Sequence, residues 1–408
     1  MSGNTKASEA GAPTDTMSSG AAGTAAGGSD EGSGNWQRRW QPLLGQWVIV
    51  SASSADRPWS GALATGATDE KPAHDPACYL CPRVTRASGT SNPDYTGAFA
   101  FDNDFPSLSF DAPLARDEDD PLARTAPAHG RCRVLCWSER HDATIASLGA
   151  EALVGVGRLW RDEYRALSAD PRIANVLIFE NKGTEIGVSN LHPHGQIYAT
   201  DFVTNTATRM REAQARYARE RGGASLLQDM LRGEAVQGAR GPDGADPGDA
   251  HRNVDAPDAG ASGKGETRSG SLVVERGEHF SVIVPWAARF AYETWIVPHR
   301  HVASVGEMDE SELAELLTLY QRQVRRYDVL FARTAPNVTL LHNAPCDDHA
   351  DNAHWCFHLA FHPPLREPDK MKFLAGFESG ADNIVNPVQP ERAAGRLRET
   401  DVSAWPPR

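Results

Sequence analysis

The chain has 408 residues, a formal net charge of −13 at pH 7 and six cysteines. This length allows two or three domains with a large core, whereas the acidic balance argues against a general nucleic-acid or anionic-membrane binder. No apolar run approaches the roughly 20 residues that a membrane span needs. Six cysteines in so long a chain do not resemble a disulfide framework. The composition predicts a cytoplasmic protein without a nucleic-acid or membrane partner.

Two segments are expected to be disordered because they contain too few apolar groups to offset the entropy of ordering them. Residues 1–35 hold Gly, Ala, Ser or Thr at 25 positions and lack the apolar centre of a signal peptide. Residues 233–270 hold Gly or Pro at 12 of 38 positions and no aromatic residue, which is typical of an insertion. The ordered parts are therefore expected at 36–232 and 271–408.

The first element with a chemical signal is Cys78-x-x-Cys81, in a turn bounded by prolines. This spacing lets two thiolates bind one Zn²⁺ from a tight knuckle, provided that two more ligands exist. A redox pair is the rival interpretation, but it would be expected at a helix N-terminus, which Pro82 and Arg83 disfavour. Two ordinary buried thiols are the structural alternative.

A polar loop containing Asn103 and Asp104 comes next, and its side chains could meet a ligand hydroxyl or form an ordinary Asx turn. Alternating residues then predict a strand over 131–137. Apolar residues at near-helical spacing predict a helix over 151–167, and the apolar run at 175–179 predicts a buried strand.

The segment from Asn190 to Tyr198 contains His192-Pro193-His194-Gly195-Gln196. If it is extended, His192, His194 and Gln196 share one face, because side chains alternate along a strand. Neutral imidazole is a good nucleophile near pH 7 and a common metal ligand. The structural alternative is a pair of half-buried histidines that cap a strand.

The second half repeats the pattern of the first, with strands up to residue 297 and a strong amphipathic helix over 310–331. Three polar residues recur at equal spacings: Asn175, Asn181 and His192 match Asn337, Asn343 and His354. This predicts an α+β fold built from a duplicated unit, in which long helices pack on an antiparallel sheet. Cys356 stands where the first half has His194, so one active centre per chain is expected.

A set of motifs, in this order, covers residues 36–400 apart from the insertion. They are His74-Asp75-Pro76, Cys78-x-x-Cys81, Asn92-Pro93-Asp94-Tyr95-Thr96-Gly97, Asn103-Asp104-Phe105, Phe179-Glu180-Asn181-Lys182-Gly183, Ser189-Asn190-x-His192-Pro193-His194-Gly195-Gln196, His354-Trp355, Pro363-Pro364-Leu365, Lys372-Phe373 and Gly376-Phe377-Glu378. With them the chain resembles the galactose-1-phosphate uridylyltransferase family of the histidine-triad superfamily.

The resemblance implies a role for each matching residue. A structural zinc would be bound by Cys78, Cys81, His141 and His192. His194 would attack the α-phosphorus of UDP-glucose, and galactose 1-phosphate would then accept the uridylyl group. Gln196 and Ser189 would hydrogen-bond the phosphoryl oxygens, while the residues along the nucleotide would be Arg57, Asn103, Asp104 and Asn181. In a homodimer with shared active sites, the partner would bring the sugar-phosphate contacts Lys372, Phe373, Phe377 and Glu378.

Gln196 discriminates between the reaction classes of the superfamily, whose hydrolases place a third histidine there. Gln cannot supply a proton, but a sugar phosphate, with a second pKa of about 6, leaves without one. Two alternatives stay open. One is a nucleotidyltransferase or phosphorylase that uses an adenylyl donor, and the other is a zinc-stabilised nucleotide-binding module without turnover.

The chain also departs from the family pattern. Ser54 stands where the family commonly has a second arginine, and residues 379–386 do not follow the common pattern. Many members bind a second metal through one Glu and three His. The resemblance puts His301 and His358 at two of those positions but Met210 and Ala360 at the others, with His362 as the candidate for a rescue. We therefore expect about one tightly bound metal per chain.

Overall fold

The computed structural model describes residues 36–51, 71–113, 122–237 and 271–407. Arg57, Ser54, the 1–35 segment and residues 238–270 lie outside the described residues, so the expectations for them are not addressed by it. No helix in the described part of the chain is both long enough and apolar enough to cross a membrane.

The fold is mixed α/β, with fourteen strands and six α-helices in the described residues. The strands are β1 (Gln37–Gln41), β2 (Gln46–Val50), β3 (Phe99–Asp102), β4 (Gly130–Cys136), β5 (Asn175–Lys182), β6 (His194–Thr200), β7 (Val273–Arg276), β8 (Phe280–Ile283), β9 (Thr294–Pro298), β10 (Asn337–His342), β11 (His358–His362), β12 (Leu365–Glu367), β13 (Lys370–Met371) and β14 (Val385–Asn386). The helices are α1 (Ala150–Ser168), α2 (Asn205–Glu220), α3 (Leu226–Gln237), α4 (Glu310–Leu330), α5 (Gly376–Ala381) and α6 (Pro390–Glu399).

Nine strands form one antiparallel sheet in the order β3-β4-β6-β5-β10-β11-β9-β8-β7. Strands of the first half occupy one side and strands of the second half the other, and β5 pairs with β10 where they meet. A smaller sheet joins β1, β2 and β14, in which β14 runs parallel to β2. The expected antiparallel sheet with packed long helices is confirmed.

The helices α1 and α4 cover one face of the nine-stranded sheet and form the main core. In α1 the buried residues Leu153, Val156 and Trp160 recur at helical spacing, as sequence periodicity predicted. The helix α4 begins at an Asp309 cap whose carboxylate accepts from the Glu312 backbone, a capping box that fixes the helix start. Burial of these stripes holds both helices against the sheet.

The opposite face is covered at its two ends and open in the middle. The helices α2 and α3 pack over the second-half strands, and the knuckle around Cys78 and Cys81 packs over β4. Between them Leu177, Phe179 and Tyr198 remain half-buried. The helix α3 extends through Gln237, so the first residues of the expected disordered insertion are helical.

Candidate active site

His194 opens strand β6, and its ring is fixed by a main-chain hydrogen bond. Its Nδ1 lies 2.7 Å from the carbonyl oxygen of His192. A carbonyl can only accept, so Nδ1 carries the proton and Nε2 keeps its lone pair. Burial lowers the pKa of His194, which keeps the ring neutral at pH 7. A neutral imidazole with a free Nε2 is a competent nucleophile.

The glycine after His194 is required by close packing. A Cβ on Gly195 would lie 2.4 Å from Cζ2 of Trp137 and 2.7 Å from the carbonyl oxygen of Phe179. The indole of Trp137 is held in turn by its Nε1, which donates to Glu180 at 3.1 Å. Only glycine lets β6 run this close to β5 while it presents His194 on the opposite face.

His194 lines a cavity of about 360 Å³, and the cavity carries three cations. Lys182 is paired with Asp328 at 2.9 Å, and Arg333 is paired with Glu185. Lys71 is different, because its Nζ donates to the carbonyl of Leu191 at 3.1 Å and has no carboxylate partner among the described residues. The cavity is thus lined by His194 and by one cation that has no carboxylate partner in the described ranges, a combination that suits a phosphate-bearing ligand.

The predicted metal ligands Cys78, Cys81, His141 and His192 are brought together, all buried, with their donor atoms within 4.8 Å of one another. The Sγ of Cys81 lies 3.5 Å from Nδ1 of His192 and 3.8 Å from Nδ1 of His141. Two sulfurs and two imidazole nitrogens at these distances form a donor set for a tetrahedral divalent ion.

The tautomer of His192 agrees with such a site. Its Nε2 lies 2.9 Å from the carbonyl oxygen of Ser138, so Nε2 donates and Nδ1 presents a lone pair towards Cys81. Asn190 supports the arrangement, since its Oδ1 accepts from the His192 backbone at 2.9 Å. Burial raises the pKa of Cys81 to about 11, so a cation is needed to stabilise its thiolate at pH 7.

The expectation that His192 shares one strand face with His194 and Gln196 is wrong. Strand β6 begins at His194, and His192 lies before it, turned into the cysteine knuckle. The intervening Pro193 has no N–H for a strand ladder, although its carbonyl accepts from Trp137 at 3.0 Å. His194 and Gln196 do share a face, in register with Cys136 and Val134 of β4.

The other predicted site residues do not all line the cavity. Asn181 lines it, but Ser189 is exposed and is not among the lining residues. Asn103 accepts from the Phe105 backbone at 2.9 Å, which is the Asx turn considered as its structural alternative. Asp104 is paired with Arg86 at 3.2 Å.

The predicted sugar-phosphate residues form a separate surface within the chain. Lys372 and Glu378 make an ion pair, and hydrogen bonding to that lysine lowers the pKa of Glu378 against its burial. Between them Phe373 and Phe377 are 57% and 55% exposed. None of the four lines the His194 cavity.

Three of the four positions of the expected second metal site line one cavity, and the fourth does not. Met210, His358 and Ala360 line a cavity of about 410 Å³, but His301 is exposed and does not line it. The chain leaves the sheet after β9 ends at Pro298, so residue 301 lies beyond the sheet face. Instead His342 is the cross-strand partner of His358.

The second half is also rich in cysteine and histidine, but these side chains do not form a preformed metal site: Cys346, His349, His354, Cys356, His358 and His362. In the described residues, donor groups lie within binding distance of one another only around Cys81 and, on the surface, around Glu315.

Sequence reasoning missed two features of the first site. Lys71 lies just before His74-Asp75-Pro76, and its position beside that motif was the only signal that could have found it. Tyr95 donates to the carbonyl of Leu80 at 2.6 Å and lies 3.3 Å from Nε2 of His192. Tyr95 belongs to the Asn92–Gly97 motif, but the motif did not indicate that its hydroxyl would lie beside His192.

Comparison with known proteins covers both halves of the chain. Residues 30–204 match the model for the galactose-1-phosphate uridyl transferase N-terminal domain, and residues 211–405 match that for its C-terminal domain. The galactose-1-phosphate uridylyltransferase of Haemophilus influenzae is 34% identical over 362 residues, 88% of this chain and 93% of that protein. That of Rattus norvegicus is 33% identical over 373 residues, 88% of this chain and 86% of that protein.

Solved structures show the same fold. An ADP-glucose phosphorylase from Arabidopsis thaliana with bound ADP-glucose superposes with a TM-score of 0.66 at 19% identity, covering 90% of this chain and 99% of that one. A uridylyltransferase gives a TM-score of 0.65 at 21% identity, covering 89% and 97%. With both domain models matched and sequence identity above 30% across most of its length, the chain belongs to the galactose-1-phosphate uridylyltransferase family.

Proposed function

We propose that the protein transfers the uridylyl group of UDP-glucose to galactose 1-phosphate through a covalent uridylyl-His194 intermediate. The observation that carries the proposal is the Nδ1 hydrogen bond of His194 to the His192 carbonyl, which leaves Nε2 as the nucleophile in a cavity. A module that only binds nucleotides has no need for an imidazole fixed in this way.

In the first half-reaction Nε2 of His194 attacks the α-phosphorus of UDP-glucose. The bond from that phosphorus to the bridging oxygen breaks, and glucose 1-phosphate leaves with the bond electrons. In the second, a phosphate oxygen of galactose 1-phosphate attacks the same phosphorus and displaces the imidazole. The imidazole is a good leaving group, so most of the phosphoanhydride free energy is kept between the steps.

Gln196 fits this course because the leaving sugar phosphate does not need a proton. Its amide shares a face of β6 with His194 and would hydrogen-bond a phosphoryl oxygen as charge spreads over the equatorial positions. Within the same proposal, Ser189 also contacts the phosphoryl group. The residues along the nucleotide are Arg57, Asn103, Asp104 and Asn181.

The cofactor of the proposal is zinc, bound by Cys78, Cys81, His141 and His192. When bound, it supplies a structural cross-link between the knuckle and the segment that precedes the nucleophile. This chain's residues then position His194, because the His192 carbonyl that orders its ring belongs to a proposed ligand. The proposed zinc ligand His192 and the proposed nucleophile His194 are thus two residues apart.

The proposal includes a homodimer with shared active sites. The exposed rings of Phe373 and Phe377 and the charged pair of Lys372 and Glu378 lie apart from the cavity of their own chain. A partner's copy of this segment would close the cavity over the sugar phosphate. The half-buried Leu177 and Phe179 on the open sheet face would be covered in the same interface.

We also infer that the two halves are copies of one histidine-triad-like unit. The strand order supports this, since β4-β6-β5 on one side of the central pair is mirrored by β9-β11-β10 on the other. Each half packs one long helix, α1 or α4, on the same sheet face. Cys356 in the second copy leaves His194 as the single nucleophile.

The test uses UDP-glucose labelled in the uridine and, in a separate reaction, in the glucose. Label retained on the protein from uridine alone, released by galactose 1-phosphate as UDP-galactose, is the expected result. ADP-glucose is the comparison donor, and its preferred use would show an adenylyl transferase instead. Donor binding with no covalent label and no release of glucose 1-phosphate would show a binding module.

A further inference from the structure

A second cavity, with a volume of about 410 Å³, lies between α2 and strands of both halves of the sheet. Its apolar wall includes Met210 and Trp355. The ionisable groups that line it are one arginine, one glutamate and three histidines: Arg289, Glu293, His342, His358 and His362. No step proposed for the His194 site uses any of these polar groups.

Two of these groups have buried polar atoms without a hydrogen-bond partner in the described part of the chain. His358 is 0% exposed, and both of its ring nitrogens are such atoms. The Nε of Arg289 is buried without a partner, and its guanidinium makes no ion pair among the described residues. Buried polar atoms are nearly always paired, so such atoms around a cavity indicate a ligand that completes them.

The geometry does not suit a metal ion. His342 and His358 are cross-strand partners with rings 4.6 Å apart, but His362 lies four residues along β11, about 13 Å away at the backbone. Its ring stacks on Phe290, with 4.7 Å between the centroids. In the part of the chain that the structure describes, these two imidazoles therefore have no third metal-binding side chain within reach, and the charge of Arg289 opposes a divalent cation.

The carboxylate of Glu293 does not neutralise that arginine through a direct ion pair. Its Oε1 accepts from Nε1 of Trp295 at 2.8 Å, and its Oε2 accepts from the Arg289 backbone at 2.6 Å. Its oxygens are thus occupied by donors that hold it to the wall. The guanidinium of Arg289 remains available to the cavity.

We propose that this cavity binds a small oxyanion, a phosphate or carboxylate group, held by the guanidinium of Arg289 and by ring N–H groups of His342 and His358. A guanidinium presents a planar fork that matches such a group, and a neutral imidazole can donate one further hydrogen bond. The apolar wall leaves room for a short carbon skeleton behind the charged group. This site is independent of the function proposed for His194.

The test is to determine crystal structures in selenate, an oxyanion that is located directly by its anomalous scattering. The whole chain is compared with Arg289→Met and with Arg124→Met, in which an exposed arginine that lines neither cavity is changed. An anomalous peak beside Arg289 is expected in the wild type and in Arg124→Met, and its loss is expected in Arg289→Met.

A solution measurement keeps the proposal testable if a variant does not crystallise. Sulfate should raise the melting temperature of the wild type and Arg124→Met more than that of Arg289→Met, at matched ionic strength. A peak that is absent from the wild type or kept in Arg289→Met would overturn the proposal. So would a transition metal bound by His342 and His358, or an equal response to sulfate in all three proteins.

A second inference concerns Lys71 and rests on the proposed function. Its ammonium is the one cation of the His194 cavity without a carboxylate partner among the described residues, and its Nζ is held at 3.1 Å by the Leu191 carbonyl. Leu191 is next to His192, whose carbonyl orients His194. We infer that Lys71 contacts the transferred phosphoryl group and stabilises the charge on its equatorial oxygens, as a catalytic residue.

The rate of uridine labelling of the enzyme tests this role. Lys71→Met should slow labelling by about 10²-fold, the usual scale for losing one preorganised donor. Lys71→Arg should recover much of that rate, because it keeps the charge. The matched control is Lys370→Met, whose lysine pairs with Glu367 outside the cavity.

The pH profile separates a charge effect from a structural one. Burial lowers the pKa of Lys71, so the wild-type rate should fall on the alkaline side before pH 10.5, and Lys71→Arg should move that fall to higher pH. Wild-type labelling rates in Lys71→Met would overturn this role and leave the His194 mechanism standing. Absence of label on the wild type would overturn both.

Discussion

The two cavities lie on the same face of one sheet but differ in how their histidines are held. In the first, a carbonyl fixes His194 so that one nitrogen stays free towards a half-open cavity. In the second, His358 is fully buried, and both of its nitrogens lack partners. By sequence spacing, Cys356 is the second-half residue that matches His194, and it is fully buried and is not among the residues lining that cavity.

Strands at mirrored positions of one sheet therefore carry histidines in different environments. The His194 ring is oriented by a neighbouring carbonyl, and the missing Cβ at Gly195 allows the close approach of β6 to Trp137 and β5. Desolvation raises the pKa of Cys356, at the matching position of the second half, to about 11 and keeps it a thiol. The following changes test this contrast.

The largest effect is expected when the proposed nucleophile, His194, is replaced. His194→Ala should abolish both half-reactions and leave the fold intact, because a methyl group cannot attack phosphorus. The measurement is covalent uridine label together with formation of UDP-galactose. Cys356→Ala, at the matching position of the second half, is the control and should keep about one label per chain. Near-wild-type turnover by His194→Ala would remove the mechanism.

Gln196 should have the next largest effect. Gln196→Ala should slow uridylyl transfer by about 10²-fold, since one preorganised hydrogen-bond donor to the phosphoryl group is lost. Rapid-quench measurement of each half-reaction gives the rates. His358→Gln, which puts the same amide at the matching position of the second half, should change neither rate, and a comparable loss there would link the two cavities.

The cysteine knuckle should lose its metal when one thiolate is removed. Cys81→Ser should reduce zinc from about one per chain to a small fraction and lower the melting temperature, because a structural metal contributes to folding. Elemental analysis and thermal unfolding measure both effects. Cys346→Ser, outside the knuckle, should retain the metal. A wild-type protein without metal would contradict the four-ligand assignment, and two metals per chain would contradict the expected loss of a second site.

The smallest effect concerns stability and pH in the second cavity. Burial lowers the pKa of His342 to about 4 and that of His358 well below its usual value. Neutral rings therefore cost no stability above pH 6.5, but stability is lost as the pH falls below it, because protons bind better to the unfolded chain. For His342 this loss is about 2 kcal/mol at pH 5.

This dependence is measured by urea unfolding at several pH values without added oxyanion. His358→Leu should make the loss of stability between pH 6.5 and pH 5 smaller, because one ring that favours protonation in the unfolded chain is removed. His349→Leu, at a site outside the buried cavity, is the control and should keep the wild-type slope. An unchanged slope in His358→Leu would show that the ring already binds a proton in the folded state.

Regular elements were the most predictable part of the molecule. The helix expected over 310–331 is observed at Glu310–Leu330, and that expected over 151–167 at Ala150–Ser168. Both present a wide apolar stripe, and a stripe at helical spacing has only one efficient way to be buried. The expected strand over 131–137 is likewise observed as Gly130–Cys136.

Contacts between distant segments were less predictable. The spacing of Cys78 and Cys81 indicated a metal knuckle, but only the fold brought His141 and His192 to it. His301 was expected beside His358, whereas the sheet register puts His342 there. Register depends on strand pairing across the whole sheet, and no local pattern in the sequence reports it.

By itself, the sequence determined the types of element, the antiparallel arrangement with packed helices and the residues able to act as nucleophile or ligands, because periodicity and side-chain chemistry are local properties. The tertiary structure determined the environment of each histidine. His192 turns into the knuckle, His194 opens onto a cavity beside Lys71, and His358 is enclosed without a partner. These roles depend on burial and on carbonyls contributed by other segments, and such groups meet only when the chain is folded.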